Sequence, residues 1–145
     1  YAILPEPILS NTLFKNPELK VLFSLNELWI DSVGVSRGYP QSSLVIKEEL
    51  LESDPDFVID FLSSLEDSIN WALSNTETLG DLSESLNLGP PKDAIISGVD
   101  RLGINQFSID DSMDEYTMYY SKILEFAPEF IGGKVPDEGI YYKAK

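Results

Sequence analysis

The chain contains no histidine and no cysteine among its 145 residues. Those two absences remove Ser-His-Asp and Cys-His catalysis, His- or Cys-ligated zinc, iron–sulfur clusters and disulfides together. Basic residues are also scarce: ten Lys plus Arg stand against 25 Asp plus Glu, a formal charge of −15. A chain so acidic is repelled by a phosphate backbone, which argues against a nucleic-acid role. It is repelled by anionic lipid for the same reason. No run of 18 apolar residues and no charged-then-apolar leader stands in the sequence. What remains is a chain with 43% hydrophobic and 11% aromatic residues, enough for a packed core. The opening Tyr1-Ala2-Ile3-Leu4-Pro5 lacks an initiator Met and reads as part of something longer.

Periodicity and punctuation predict the elements. Tyr1–Leu4, Leu19–Leu25 and Ser42–Ile46 read as short apolar strands, and Gly103–Phe107 as a loop or a fourth. Glu6-Pro7 looks like a helix entry, followed by Ile8, Leu9, Thr12 and Leu13 before Asn16-Pro17 stops the run. Asn26–Pro40, with Gly34, Gly38 and Pro40, reads as a connector anchored by Trp29 and Ile30. Lys47–Glu52 reads as a helical turn. Asp54-Pro55 pairs an N-cap acid with Pro at the first helical position. Val58, Phe61, Leu62, Leu65, Ile69, Ala72 and Leu73 then recur at helical spacing over about 20 residues. Further helices follow over Thr76–Leu86, around Ala94, Ile95, Val99 and Leu102, and from Ile109 through Leu124. Two or three short strands cannot form a stable sheet unaided, so an α/β fold here needs strands from outside the segment.

Few side chains suggest chemistry. Glu6 follows a predicted strand at a helix start, where open α/β sheets place ligands, although a solvent-facing cap acid is the plainer reading of the residues alone. Asp110, Asp111, Asp114 and Glu115 could suggest a cation site, but no calcium-loop spacing supports it and a solvated helix face explains them. Gly132-Gly133-Lys134 lacks the remaining residues of a phosphate loop. Tyr116, Tyr119 and Tyr120, with Phe126 and Phe130, read as core packing or as an aromatic platform. Trp71 is expected at the core edge of the long helix. Arg37 and Arg101 are the only guanidiniums and are expected in surface ion pairs. No nucleophile–base pair emerges, and no metal site or cofactor site is expected.

In order, AILPEP (residues 2–7), LNELW (25–29), PQSSLVI (40–46), the Asp54–Asn75 helix, Gly103–Phe107 and FIGGKVPDEGIYY (130–142) resemble the solute-binding receptors of ABC importers. The group concerned is that of nitrate, sulfonate, taurine and thiamine precursors. The resemblance covers nearly the whole chain and matches the C-terminal half of such receptors, although no single motif is diagnostic. It implies a three-layer α/β, periplasmic-binding-protein-like (type II) fold, present as a helix-rich C-terminal fragment. Residues 1–25 would end the second lobe and 26–145 would complete the first. It further implies a receptor without catalysis, outside the cytoplasm in the periplasm or on the cell surface as a lipoprotein. Its partners would be a small solute and the permease subunits, with no nucleic acid. By position, Glu6, Pro7, Trp29, Gln41, Ser42 and Asn105 become the expected ligand-binding residues. An acid at Glu6 would suit a nitrogenous or aromatic solute over an anion. The alternatives are an enzyme of thiamine-pyrimidine synthesis on the same scaffold and a stand-alone interaction module. A fragment of such a sheet would be expected to self-associate through its strand edges.

Overall fold

The computed structural model describes residues 1–143; the last two residues of the expected 26–145 segment lie outside it. Seven α-helices carry the described chain: α1 (Ile8–Lys15), α2 (Leu25–Val33), α3 (Glu48–Ser53), α4 (Pro55–Ser74), α5 (Thr76–Ser85), α6 (Lys92–Gly98) and α7 (Ile109–Phe126). Short 3₁₀ turns follow at Val99–Arg101, Pro128–Ile131 and Glu138–Ile140. The chain divides into two compact units. Unit 1 is Tyr1–Lys20 with Asp54–Gln106, and unit 2 is Val21–Ser53 with Phe107–Lys145.

The expected three-layer α/β, periplasmic-binding-protein-like architecture is overturned, because the described residues contain no strand. Residues 1–4, 19–24, 42–46 and 103–107 are irregular, and they present no sheet edge. Short runs of branched and aromatic residues favour extended backbone, but a strand exists only once a neighbour supplies the ladder hydrogen bonds. Leu19, Val21, Leu22 and Phe23 remain exposed, with no such neighbour.

The expected connector after Leu25 is also corrected: it begins with a helix. The Ser24 side chain accepts a hydrogen bond from the Glu27 backbone N–H at 3.3 Å, and Glu27 sits three residues on, as in a capping box. Gly34 ends α2 in the left-handed region, φ 78°, where a residue with a Cβ is strained.

In unit 1 the helices meet through small residues. Val58, Ala94 and Val99 are buried, as are Ser10, Gly80, Ser83 and Gly98. Gly80, a poor residue for a helix interior, sits where the Lys92 backbone approaches within 3.3 Å of the position a Cβ would take. α5 packs on α6, and α6 on α1. Asp54 caps α4 as its sequence predicts, its carboxylate accepting from the Phe57 N–H at 3.2 Å. The inward face of α4 is Val58, Leu62, Leu65, Ile69 and Ala72, all buried or half-buried. Phe61, Leu73 and Trp71 lie exposed, Trp71 contrary to its expected place at the core edge.

In unit 2, α7 starts at Ser108, whose hydroxyl accepts from the Asp111 N–H and donates to the Asp111 carboxylate at 2.7 Å. Ile109, Met113, Tyr116, Tyr120, Ile123 and Leu124 are half-buried along α7, the stripe that the periodicity predicts.

Candidate functional site

Three of the expected ligand residues, Glu6, Pro7 and Asn105, fall in unit 1, and Trp29, Gln41 and Ser42 fall in unit 2. Pro7 is the exposed N-cap residue of α1. Asn105, Gln41 and Ser42 lie exposed on irregular segments. Glu6 is different: its side chain is only 6% exposed. One carboxylate oxygen accepts from Arg101 Nε at 2.7 Å, and the other from the Ser10 N–H at 3.1 Å. Arg101 also donates through Nη2 to Ser10 Oγ at 2.7 Å. The charge of Glu6 is therefore matched inside the protein, and the group clasps α1 to the turn at Val99–Arg101.

Arg37 organises unit 2 in the same way. Its Nε donates to Glu115 at 2.9 Å, its Nη2 donates to the Asp111 carbonyl, and its guanidinium lies 4.4 Å from the centroid of the Phe107 ring. The hydrogen bond from Arg37 holds the Glu115 carboxyl below its ordinary range, and the same contact raises the Arg37 pKa. Of the acids at the start of α7, Asp111 joins the cap, Glu115 pairs with Arg37, and Asp110 lies 3.8 Å from Lys143 Nζ. Among the described residues no group of three potential metal ligands converges.

The feature that could hold a small molecule is an aromatic hollow in unit 2. It measures about 410 Å³ and is lined by Leu25, Leu28, Trp29, Ser32, Tyr39 and Tyr119. The first four occupy one face of α2 at i, i+3, i+4 and i+7. Tyr39 is held over them by the following loop, where its N–H donates to Asn26 Oδ1 at 3.3 Å. Gly38 makes that approach possible: at φ 92° it admits a left-handed backbone, and any Cβ there would overlap the Asn26 side chain.

Tyr39 and Tyr119 lie within 16° of parallel, with ring centroids 6.2 Å apart. Trp29 stands edge-on to both, at 6.1 Å and 76° to Tyr39 and 5.8 Å and 71° to Tyr119. Its indole Nε1 is buried and makes no hydrogen bond among the described residues. No Asp, Glu, Lys or Arg lines the hollow. An open hollow of this size and lining suits an uncharged planar solute held by ring contacts, with hydroxyls left to orient it. It offers no nucleophile–base pair.

Beside the hollow, Tyr116, Tyr120 and Tyr141 pack ring to ring, and the Ser43 hydroxyl shares a 2.7 Å hydrogen bond with the Tyr116 phenol. Burial, followed by the neighbouring phenols, pushes the Tyr120 and Tyr141 hydroxyls upward in pKa. Phe126 and Phe130 take no part and are exposed. Reading 26–40 as a connector hid the hollow, since the one-faced spacing of Leu25, Leu28, Trp29 and Ser32 has meaning only on a helix. A second hollow, about 330 Å³ between Ser83 and Pro91, has no aromatic lining. No helix among the described residues is long and apolar enough to cross a membrane. Comparison with protein-family models, curated proteins and solved structures finds no match to this chain.

Proposed function

We propose that this chain is a solute-binding component of an ABC importer, working outside the cytoplasm and taking an uncharged, planar nitrogenous or aromatic solute. The observation that carries the reading is the hollow of Trp29, Tyr39 and Tyr119, a ring-lined site with no charged side chain in its lining. The ordered series from AILPEP to the Gly-Gly-Lys tail supports it from the sequence. The reading does not draw on a three-layer sheet, since the hollow is local to α2, α7 and the loop between α2 and α3. Glu6, matched by Arg101, holds α1 within unit 1 in this reading, and ligand selection passes to the aromatic rings.

The test is a fluorescence titration of the full chain carrying Trp71→Phe, so that Trp29 reports alone. An aminopyrimidine should give saturable quenching and be recovered unchanged, whereas taurine and nitrate should not compete. Competition by either anion, or turnover of the pyrimidine, would sink the proposal. Trp29→Phe should weaken binding, followed by calorimetry, with helix content intact.

A further inference from the structure

Helix α4 carries a second surface, and it has the opposite character from the hollow. At about 100° per residue, Phe57, Phe61, Ser64, Ser68 and Trp71 form one stripe on the side away from Val58, Leu62, Leu65 and Ile69. The three aromatics are 51%, 43% and 44% exposed, and the Phe57 and Phe61 rings stack with centroids 6.3 Å apart. The stripe runs about 21 Å along the helix. Along one side of it lie Asp56, Asp60 and Asp67, all exposed.

Among the described residues these acids form no ion pair. From Glu48 to Pro91 the sequence holds 11 acidic residues and no Lys or Arg. Like charges at i and i+4, as at Asp56 and Asp60, each cost a helix about 0.2–0.5 kcal/mol. Three solvent-facing aromatic rings add an apolar surface of the kind that marks contact sites. Neither feature stabilises the isolated chain, and both are relieved by one kind of neighbour.

We infer that the outer face of α4 docks a cationic amphipathic helix of a partner protein. The partner's apolar side covers Phe57, Phe61 and Trp71, and its Lys or Arg side chains run along Asp56, Asp60 and Asp67. Phe57 and Phe61, four residues apart, and Trp71, ten further along the same stripe, are placed as anchors for a helix laid along α4. A second copy of this chain is a poor occupant, because two α4 faces would bring like charges together. The inference stands apart from the solute-binding proposal, since it uses neither α2 nor the tyrosines.

The probe is a fluorescent amphipathic peptide with Leu and Lys at helical spacing, set against the same peptide with Glu for Lys. The full chain should bind the Leu/Lys peptide, with added protection of α4 amides in hydrogen exchange, and should ignore the Leu/Glu peptide. Affinity should fall at least tenfold in Asp60→Asn/Asp67→Asn and in Phe61→Ser/Trp71→Ser, and should weaken as salt rises. Circular dichroism checks that both variants keep their helices, which the exposure of all four side chains favours. Equal binding of the two peptides, equal binding by the Asn variant, or a Trp71 already shielded from acrylamide in the chain alone each overturns the inference. Trp29→Phe should leave peptide binding unchanged, which separates this result from the fate of the solute reading.

Discussion

Glu6 and Arg101, 95 residues apart in the chain, meet at 2.7 Å, with Ser10 hydrogen-bonded to both. The carboxylate is nearly enclosed while the guanidinium is partly open to solvent. Removing one partner therefore leaves the better buried group without its match. Glu6→Gln should lower stability by about 1–3 kcal/mol, read as a shift in denaturant midpoint. If solute affinity falls while the midpoint holds, Glu6 belongs to a binding site and the clasp is incidental.

Gly98 makes that clasp possible. A Cβ on Gly98 would overlap Ser10 Oγ and come within 3.3 Å of Glu6 Oε2. Gly98→Ala should destabilise unit 1 by about 1–3 kcal/mol through overpacking. Adding Ser10→Gly should recover part of the loss, because it removes the side chain that the new methyl meets. A double variant no more stable than the single one would place the cause elsewhere.

Acid should loosen unit 2 through Glu115. Arg37 lowers its folded pKa below the unfolded value of about 4.3. The stabilisation it provides is full above that unfolded value and is lost as pH falls through the lower folded one. A carboxyl titration by NMR should place Glu115 below the ordinary glutamates, and Arg37→Gln should return it to them. An unchanged midpoint in that variant would remove Arg37 as the cause.

Alkali should act on the tyrosine cluster. Tyr120 and Tyr141 have raised folded pKa values, so folding favours their neutral form. Their contribution is full below the ordinary phenol value of about 10 and disappears as pH rises through the higher folded values. Phenolate absorbance should show part of the seven tyrosines titrating late, together with loss of near-UV dichroism. A single titration at the ordinary value would mean that the cluster is open to water.

The legible part of the fold is the part written in local signals. The Asp54-Pro55 start of α4 and the spacing of Ile109, Met113, Tyr116 and Tyr120 both have their structural counterparts. The capping pair Ser24 and Glu27 was equally local, yet the two glycines downstream drew the same stretch towards a connector. The three apolar runs expected as strands show the opposite error, since residue preference was present and a pairing neighbour was not. Of the hollow, Trp29 was legible as a candidate and Tyr119 as part of an aromatic platform; that Tyr39 meets Tyr119 was not, because 80 residues separate them and no periodicity links positions that far apart.

By itself the sequence excluded histidine and cysteine chemistry, set the acidic surface, and placed most helix starts and stops. Those properties rest on composition, or on hydrogen bonds that close within three or four residues. The tertiary structure decided that Arg101 neutralises Glu6 and that Tyr119 faces Trp29 and Tyr39. It also decided that Trp71 looks outward while Val58, one residue after Phe57, is buried. Such partnerships depend on how helices are brought against one another, and the closest approaches are set by small residues such as Gly80 and Gly98, whose lack of a side chain carries no periodic signal.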